Sequence, residues 1–242
     1  MEANRKVTDT VQDTTPTETN IEEWFLGNLE ADAMPIDHML ATLSHLAITN
    51  KTQAIDWADL LQESLGQRKD GSGALRLLRV RVAWQGQDPA FRGVCQKALG
   101  DAFRPKPGMI QSIGLDANVP IEECLRRLDL LNSLQQGMFC WEKTWGFGVI
   151  ASVDDFYKKV TVDFDKKHGH QMSFPYAAET LKIVGADHLL ARRKTDPSGF
   201  ATLVRQSQGE IVKMAVRSFG PISASELKER LAEYGIVVSD PE

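Results

Sequence analysis

Between Gly137 and Gly185 the helical period of the chain gives way to GMFCWEKTWGFGVIASVDDFYKKVTVDFDKKHGHQMSFPYAAETLKIVG, rich in aromatic and β-branched residues and cut by turn signals. Trp145-Gly146-Phe147-Gly148 leads into an apolar run, Val149 to Val153. Asp154-Asp155 marks a turn. Val160, Val162 and Phe164 then alternate with Thr161 and Asp163, the period of a strand buried on one face. Lys166-Lys167-His168-Gly169 reads as a second turn, and Gln171 to Phe174 as another short strand. Pro175 opens a helical turn through Glu179, and Leu181 to Val184 returns as a closing strand. Four or five strands in so few residues cannot bury two open sheets. They can bury a core if one sheet curls and closes on itself, which also removes exposed edges. Gly146 and Gly148, without Cβ atoms, suit the strong bending that this needs.

The expected module is therefore a small SH3-like or Tudor-like barrel. The same residues carry a resemblance. Trp145-Gly146-Phe147-Gly148, Asp154, Val162-Asp163-Phe164, Lys167-His168-Gly169-His170 and Met172-Ser173 resemble the Tudor-like module in the N-terminal extension of long Gre-type transcript-cleavage factors of bacteria. The Trp-Gly-x-Gly element is also similar to the C-terminal barrel of superfamily-1 DNA helicases, with Ile150 where those carry Val. More loosely it resembles CarD-type polymerase-interacting domains. The Gre resemblance implies a cytoplasmic bacterial elongation-factor region with RNA polymerase as partner. Gre-type cleavage uses acidic residues at the tip of a long antiparallel coiled coil, which hold a metal ion. The helical patterns here are too short for that hairpin, so the resemblance implies the accessory region and not the cleaving part.

Composition narrows the classes. The chain has 242 residues, 42% hydrophobic and 25% charged, with a net charge of −5. That balance suits a soluble globular protein of about two domains and lacks the basic excess of a duplex-binding protein. No apolar run approaches the roughly 18 residues of a membrane span, and the N-terminus has no apolar signal core. Cys95, Cys124 and Cys140 are scattered and odd in number, against a disulfide framework or a zinc ribbon.

The fold class expected is α+β: mostly helical N-terminal region, small barrel, C-terminal helices. Residues 1–19 are polar and read as a disordered leader. Residues 20–136 read as an α-helical domain. Asn20 and Glu23 form a capping-box signature, Pro35 opens a second helix, and Asn50 restarts the pattern. The polar run 67–73 reads as a loop before a buried helix from Ala74 to Trp84. Asp88-Pro89 caps the next helix. Pro105 and Pro107 bar a helix over 104–108, and 109–118 reads as an irregular connection. A helix from Pro120 to Gly137 then delivers the chain into the barrel at 137–185. Residues 186–242 read as a helical segment with caps at Asp196 and at Ser223, where Glu226 completes a capping box. Its Pro-Ile-Ser-x-x-Glu-Leu pattern is similar to the first half of a winged helix, and its end reads as truncated.

A search for chemistry finds no enzyme. There is no Walker A loop, no Gly-x-Ser-x-Gly and no His-Glu-x-x-His. His168 and His170 lack the further ligands that a zinc site requires, so neither a metal nor a cofactor is expected. The residues expected to bind a partner are aromatic and basic. Trp141, Phe156 and Tyr157 would anchor a protein surface, since aromatics supply much of the energy of an interface. Trp145 and Phe147 belong to the same set, with core packing as their competing role. Lys158, Lys159, Lys166 and Lys167 cluster at the hairpins and could touch phosphates. The function expected is thus a non-catalytic interaction region docking on RNA polymerase. The alternatives are a nucleic-acid-binding module and a helical protein–protein scaffold.

Overall fold

A computed structural model describes residues 21–100 and 108–237. The expected leader, the proline run at 104–107 and the end of the chain from 238 lie outside the described residues. Two compact units result, divided at 105/106.

The first unit is helical: α1 (Ile21–Leu29), α2 (Ile36–Thr49), α3 (Lys51–Gln67), α4 (Gly71–Gln85) and α5 (Phe91–Ala98). The apolar stripes meet in one core. Met39, Leu40 and Leu43 of α2 face Trp57, Ala58, Leu61 and Leu65 of α3, with Phe25 stacked on Trp57 at 4.8 Å. The Asn50 side chain accepts a hydrogen bond from the Gln53 N–H and caps α3. The polar run expected as a loop over 67–73 is shorter. Asp70 caps α4 by accepting from the Gly73 N–H at 2.8 Å, so Gly71, Ser72 and Gly73 form its first turn. The cap overrides the weak helix propensity of these residues. Arg81 of α4 is fully buried. Its guanidinium donates to Gln85 and to Asp59, each at 2.7 Å, and lies 5.2 Å from the centre of the Phe91 ring.

The second unit opens with α6 (Met109–Ile113) and α7 (Ile121–Ser133). α6 replaces the irregular connection expected there. A single turn between two left-handed glycines, Gly108 and Gly114, is too short to leave an apolar period in the sequence. Five strands follow: β1 (Phe139–Glu142), β2 (Gly146–Asp154), β3 (Lys159–Phe164), β4 (Lys167–Ser173) and β5 (Lys182–Val184), with α8 (Phe174–Thr180) before the last. They form one antiparallel sheet in the order β4-β3-β2-β1-β5. The sheet is not closed, contrary to the expected barrel, because β4 and β5 remain its two edges.

The chain between the two edge strands forms α8, which packs on β3 and β4 and does not extend the pairing. One face buries Cys140, Ile150, Val162 and Phe164. The other, with Phe139, Trp141, Phe147 and Val184, packs on α9 (Leu189–Thr195), α10 (Pro197–Gln206), α11 (Gln208–Phe219) and α12 (Ala224–Glu233). Helices thus cover an outer face that closure of the sheet alone would leave in solvent.

Two details of the sheet correct the sequence expectation. The second turn is at Asp165–Lys166, and His168-Gly169-His170 lies inside β4. Gly169 adopts φ +65° at a register shift between Val162 and Phe164, and its N–H donates to the Asp163 carboxylate at 2.7 Å. A glycine in a bulge looks like a hairpin glycine in sequence. The expected strand end at Phe174 belongs to α8, which Ser173 caps from its side-chain oxygen.

Candidate interaction surface

The sheet distributes the predicted residues over three places. Phe156 and Tyr157 stand together at the β2–β3 turn, 84% and 68% exposed, with their rings edge to face at 4.9 Å. The backbone beneath them is fixed. Asp154 accepts from the N–H groups of Phe156 and Tyr157 at 3.0 and 2.8 Å, and Lys158 holds φ +54°. Lys158 folds back, donating to the Asp155 carbonyl and lying 6.0 Å from the Phe174 ring. Lys159 is exposed beside them at the start of β3.

The second place is the β1–β2 turn. Trp145 is half-buried, 6.5 Å from Phe164 and 5.0 Å from the His170 ring. Lys167 sets its ammonium 4.7 Å from the indole centre, a cation–π contact. Lys166 is exposed in the adjoining turn. Beneath this turn lies a residue that the sequence reading passed over. Glu142 is 2% exposed, and its carboxylate accepts from the N–H groups of Thr144 and Trp145 at 2.7 and 2.9 Å. An acidic residue three positions before an aromatic was its only signal.

The third place is the interface between sheet and helices. Phe147 is 2% exposed and stacks on Phe139 and on His188. Trp141 is half-buried, edge-on to Phe219 at 6.3 Å. These two rings join the sheet to α9–α12.

The arrangement offers contact chemistry. Burial pushes the Cys140 thiol up to about 12, so it supplies no thiolate nucleophile at neutral pH. Among the described residues no group of three or more His, Cys, Asp or Glu side chains is placed to hold a metal ion. No described helix is long and apolar enough to cross a membrane.

The chain is similar to the transcription elongation factor GreA of Chlamydia pneumoniae, 29% identical over 133 residues, 54% of this chain and 18% of that protein. It is 31% identical to the GreA of Chlamydia trachomatis serovar D over 133 residues, 54% of this chain and 19% of that protein. A putative GreA-associated domains protein of Treponema pallidum is 28% identical over 88 residues, 36% of this chain and 13% of that protein. The chain spans less than a fifth of the length of the two chlamydial relatives it matches. No family model matches it, and no solved structure does. Over about half of its length the chain is similar to Gre factors.

Proposed function

We propose that this chain is a non-catalytic interaction region of a cytoplasmic, Gre-like bacterial transcription elongation factor, and that it docks on RNA polymerase through its sheet. The observation that carries this reading is the similarity over 133 residues to two GreA elongation factors. The geometry supports it from a second direction. A fixed turn presents two exposed aromatic rings beside Lys159. Ordered aromatic anchors with a basic rim are what a protein partner can bury with little loss of entropy. On this reading the meander β4-β3-β2-β1-β5, with a helical turn before β5, is an SH3- or Tudor-like module whose edge strands are splayed. Phe156 and Tyr157 make the central contact, and the Trp145–Lys167 pair with Lys166 extends it. Trp141 and Phe147 act indirectly, by holding the sheet on its helices.

The test is retention of purified bacterial RNA polymerase by the immobilised intact chain. Retention is expected. Replacing Phe156→Ser and Tyr157→Ser together removes about 2 kcal/mol or more, a loss of roughly thirtyfold in affinity. The melting temperature should not change, because both rings are exposed in the free chain. No retention, where a known polymerase-binding factor is retained, would sink the reading. Retention that collapses between about 50 and 200 mM salt would point to phosphate contacts instead.

A further inference from the structure

At the end of β2 opposite the Phe156–Tyr157 turn, where Trp141 pairs with Phe147 and Lys182, the molecule has a cavity of about 420 Å³. Strand β1 contributes Trp141, β5 contributes Lys182, α11 contributes Arg217 and Phe219, and α12 contributes Arg230. Three cations thus face a space with one anion, Asp187, on its wall. His188 also lines it, wedged between the Phe147 and Phe219 rings, with its Nδ1 accepting from the Leu190 N–H. Arg230 is pre-set, shared with Glu226 at 3.1 Å and lying 5.6 Å from the Phe219 ring. Among the described residues neither Lys182 nor Arg217 makes a close ion pair or a side-chain hydrogen bond, and Arg217 acts on the Glu210 carboxylate only at longer range. Two cations without a close carboxylate and one held guanidinium border the half-buried rings of Trp141 and Phe219.

We infer that this pocket is a second binding site, which takes a short acidic peptide segment by its carboxylates with an adjoining apolar side chain against Trp141 and Phe219. Guanidinium groups bind carboxylates through paired N–H donors, and the half-buried rings beside them add apolar contact that an isolated surface pair lacks. One feature favours a peptide over a nucleic acid. A polynucleotide carries charge at every phosphate and is met by a basic stripe, whereas these cations converge on one pocket of side-chain size. The site goes beyond the docking reading and does not use Phe156 or Tyr157, so either stands if the other fails.

The test is fluorescence anisotropy with the whole chain and a fluorescein-labelled peptide of alternating glutamate and phenylalanine, six residues long. Saturable binding is expected, and none to the same peptide with glutamine for glutamate. Lys182→Gln with Arg217→Gln should weaken binding at least tenfold, while Phe156→Ser with Tyr157→Ser leaves it unchanged. Arg217→Glu alone provides a second variant, for which a loss of the same order is expected. Thermal melts confirm that each variant is folded. No saturation up to about 1 mM peptide, binding indifferent to folded Lys182 and Arg217 variants, or tighter binding of a twelve-residue thymidine oligonucleotide would overturn the inference.

Discussion

Gly148 faces the inner side of the sheet, and a Cβ there would lie 2.7 Å from Phe164 and 2.8 Å from Val162. Both neighbours are fully buried, so neither ring nor branched side chain can step aside. Gly148→Ala is expected to cost about 1–3 kcal/mol of stability through overpacking, read as a lower urea midpoint. His188 governs a different dependence. Burial between two phenyl rings lowers its pKa below the ordinary value of 6.5. Below that pH the unfolded chain takes up a proton that the folded chain refuses. The stability contributed by neutral His188 is therefore complete above about pH 6.5 and is lost as the pH falls through the folded value. Melting temperature should drop from pH 7.5 to 5.5, and drop less in His188→Asn, which retains a capping oxygen but does not titrate. Glu123 acts in a separate window. Its hydrogen bond to Arg126, above all, holds its carboxyl down at about 2, so that contribution is lost only as the pH falls below 4.5.

At the scale of elements, the outer face of β1 and β2 decides the architecture. Phe147 fills the seam with Leu189, Leu190 and Ile211, and Trp141 meets Phe219. Phe147→Ala should cost about 3–5 kcal/mol and be seen as a single cooperative loss of sheet and helix signals. A fragment of residues 108–188, which lacks α9–α12, would expose Phe139, Trp141, Phe147 and Val184 together. Such a patch favours self-association. Aggregation of this fragment on gel filtration, with a monomeric fragment 108–237 beside it, is the expected result. A well-folded monomer from 108–188 would show that the sheet does not need its helices.

At the scale of the molecule, each unit has its own buried centre, Phe25 and Trp57 in one and Phe147 and Leu189 in the other. Separate expression of residues 21–100 and 108–237 should give two cooperative melts, each checked by circular dichroism. Much of this plan is written in local chemistry. The alternation through Val160, Val162 and Phe164 dictates β3, because side chains in a strand change face at every residue. The caps at Asn50, Asp196 and Ser223 dictate helix starts, because each side chain reaches an N–H three positions on. The Trp145–Ser173 pattern resembled Gre-type factors, and the chain is similar to GreA over about half of its length. Other features depend on residues distant in the sequence. Burial of the outer face of the sheet was decided by helices after residue 188, which cover Phe147. Whether Gly169 turned the chain or bulged within a strand was decided by Asp163 across the ladder. Which aromatic rings stayed in water was decided by partners such as Phe219 and Lys167, placed by the fold. Sequence fixes preferences within a few residues. Only packing chooses among the arrangements those preferences allow, since burial energy is shared between surfaces that lie far apart in the sequence.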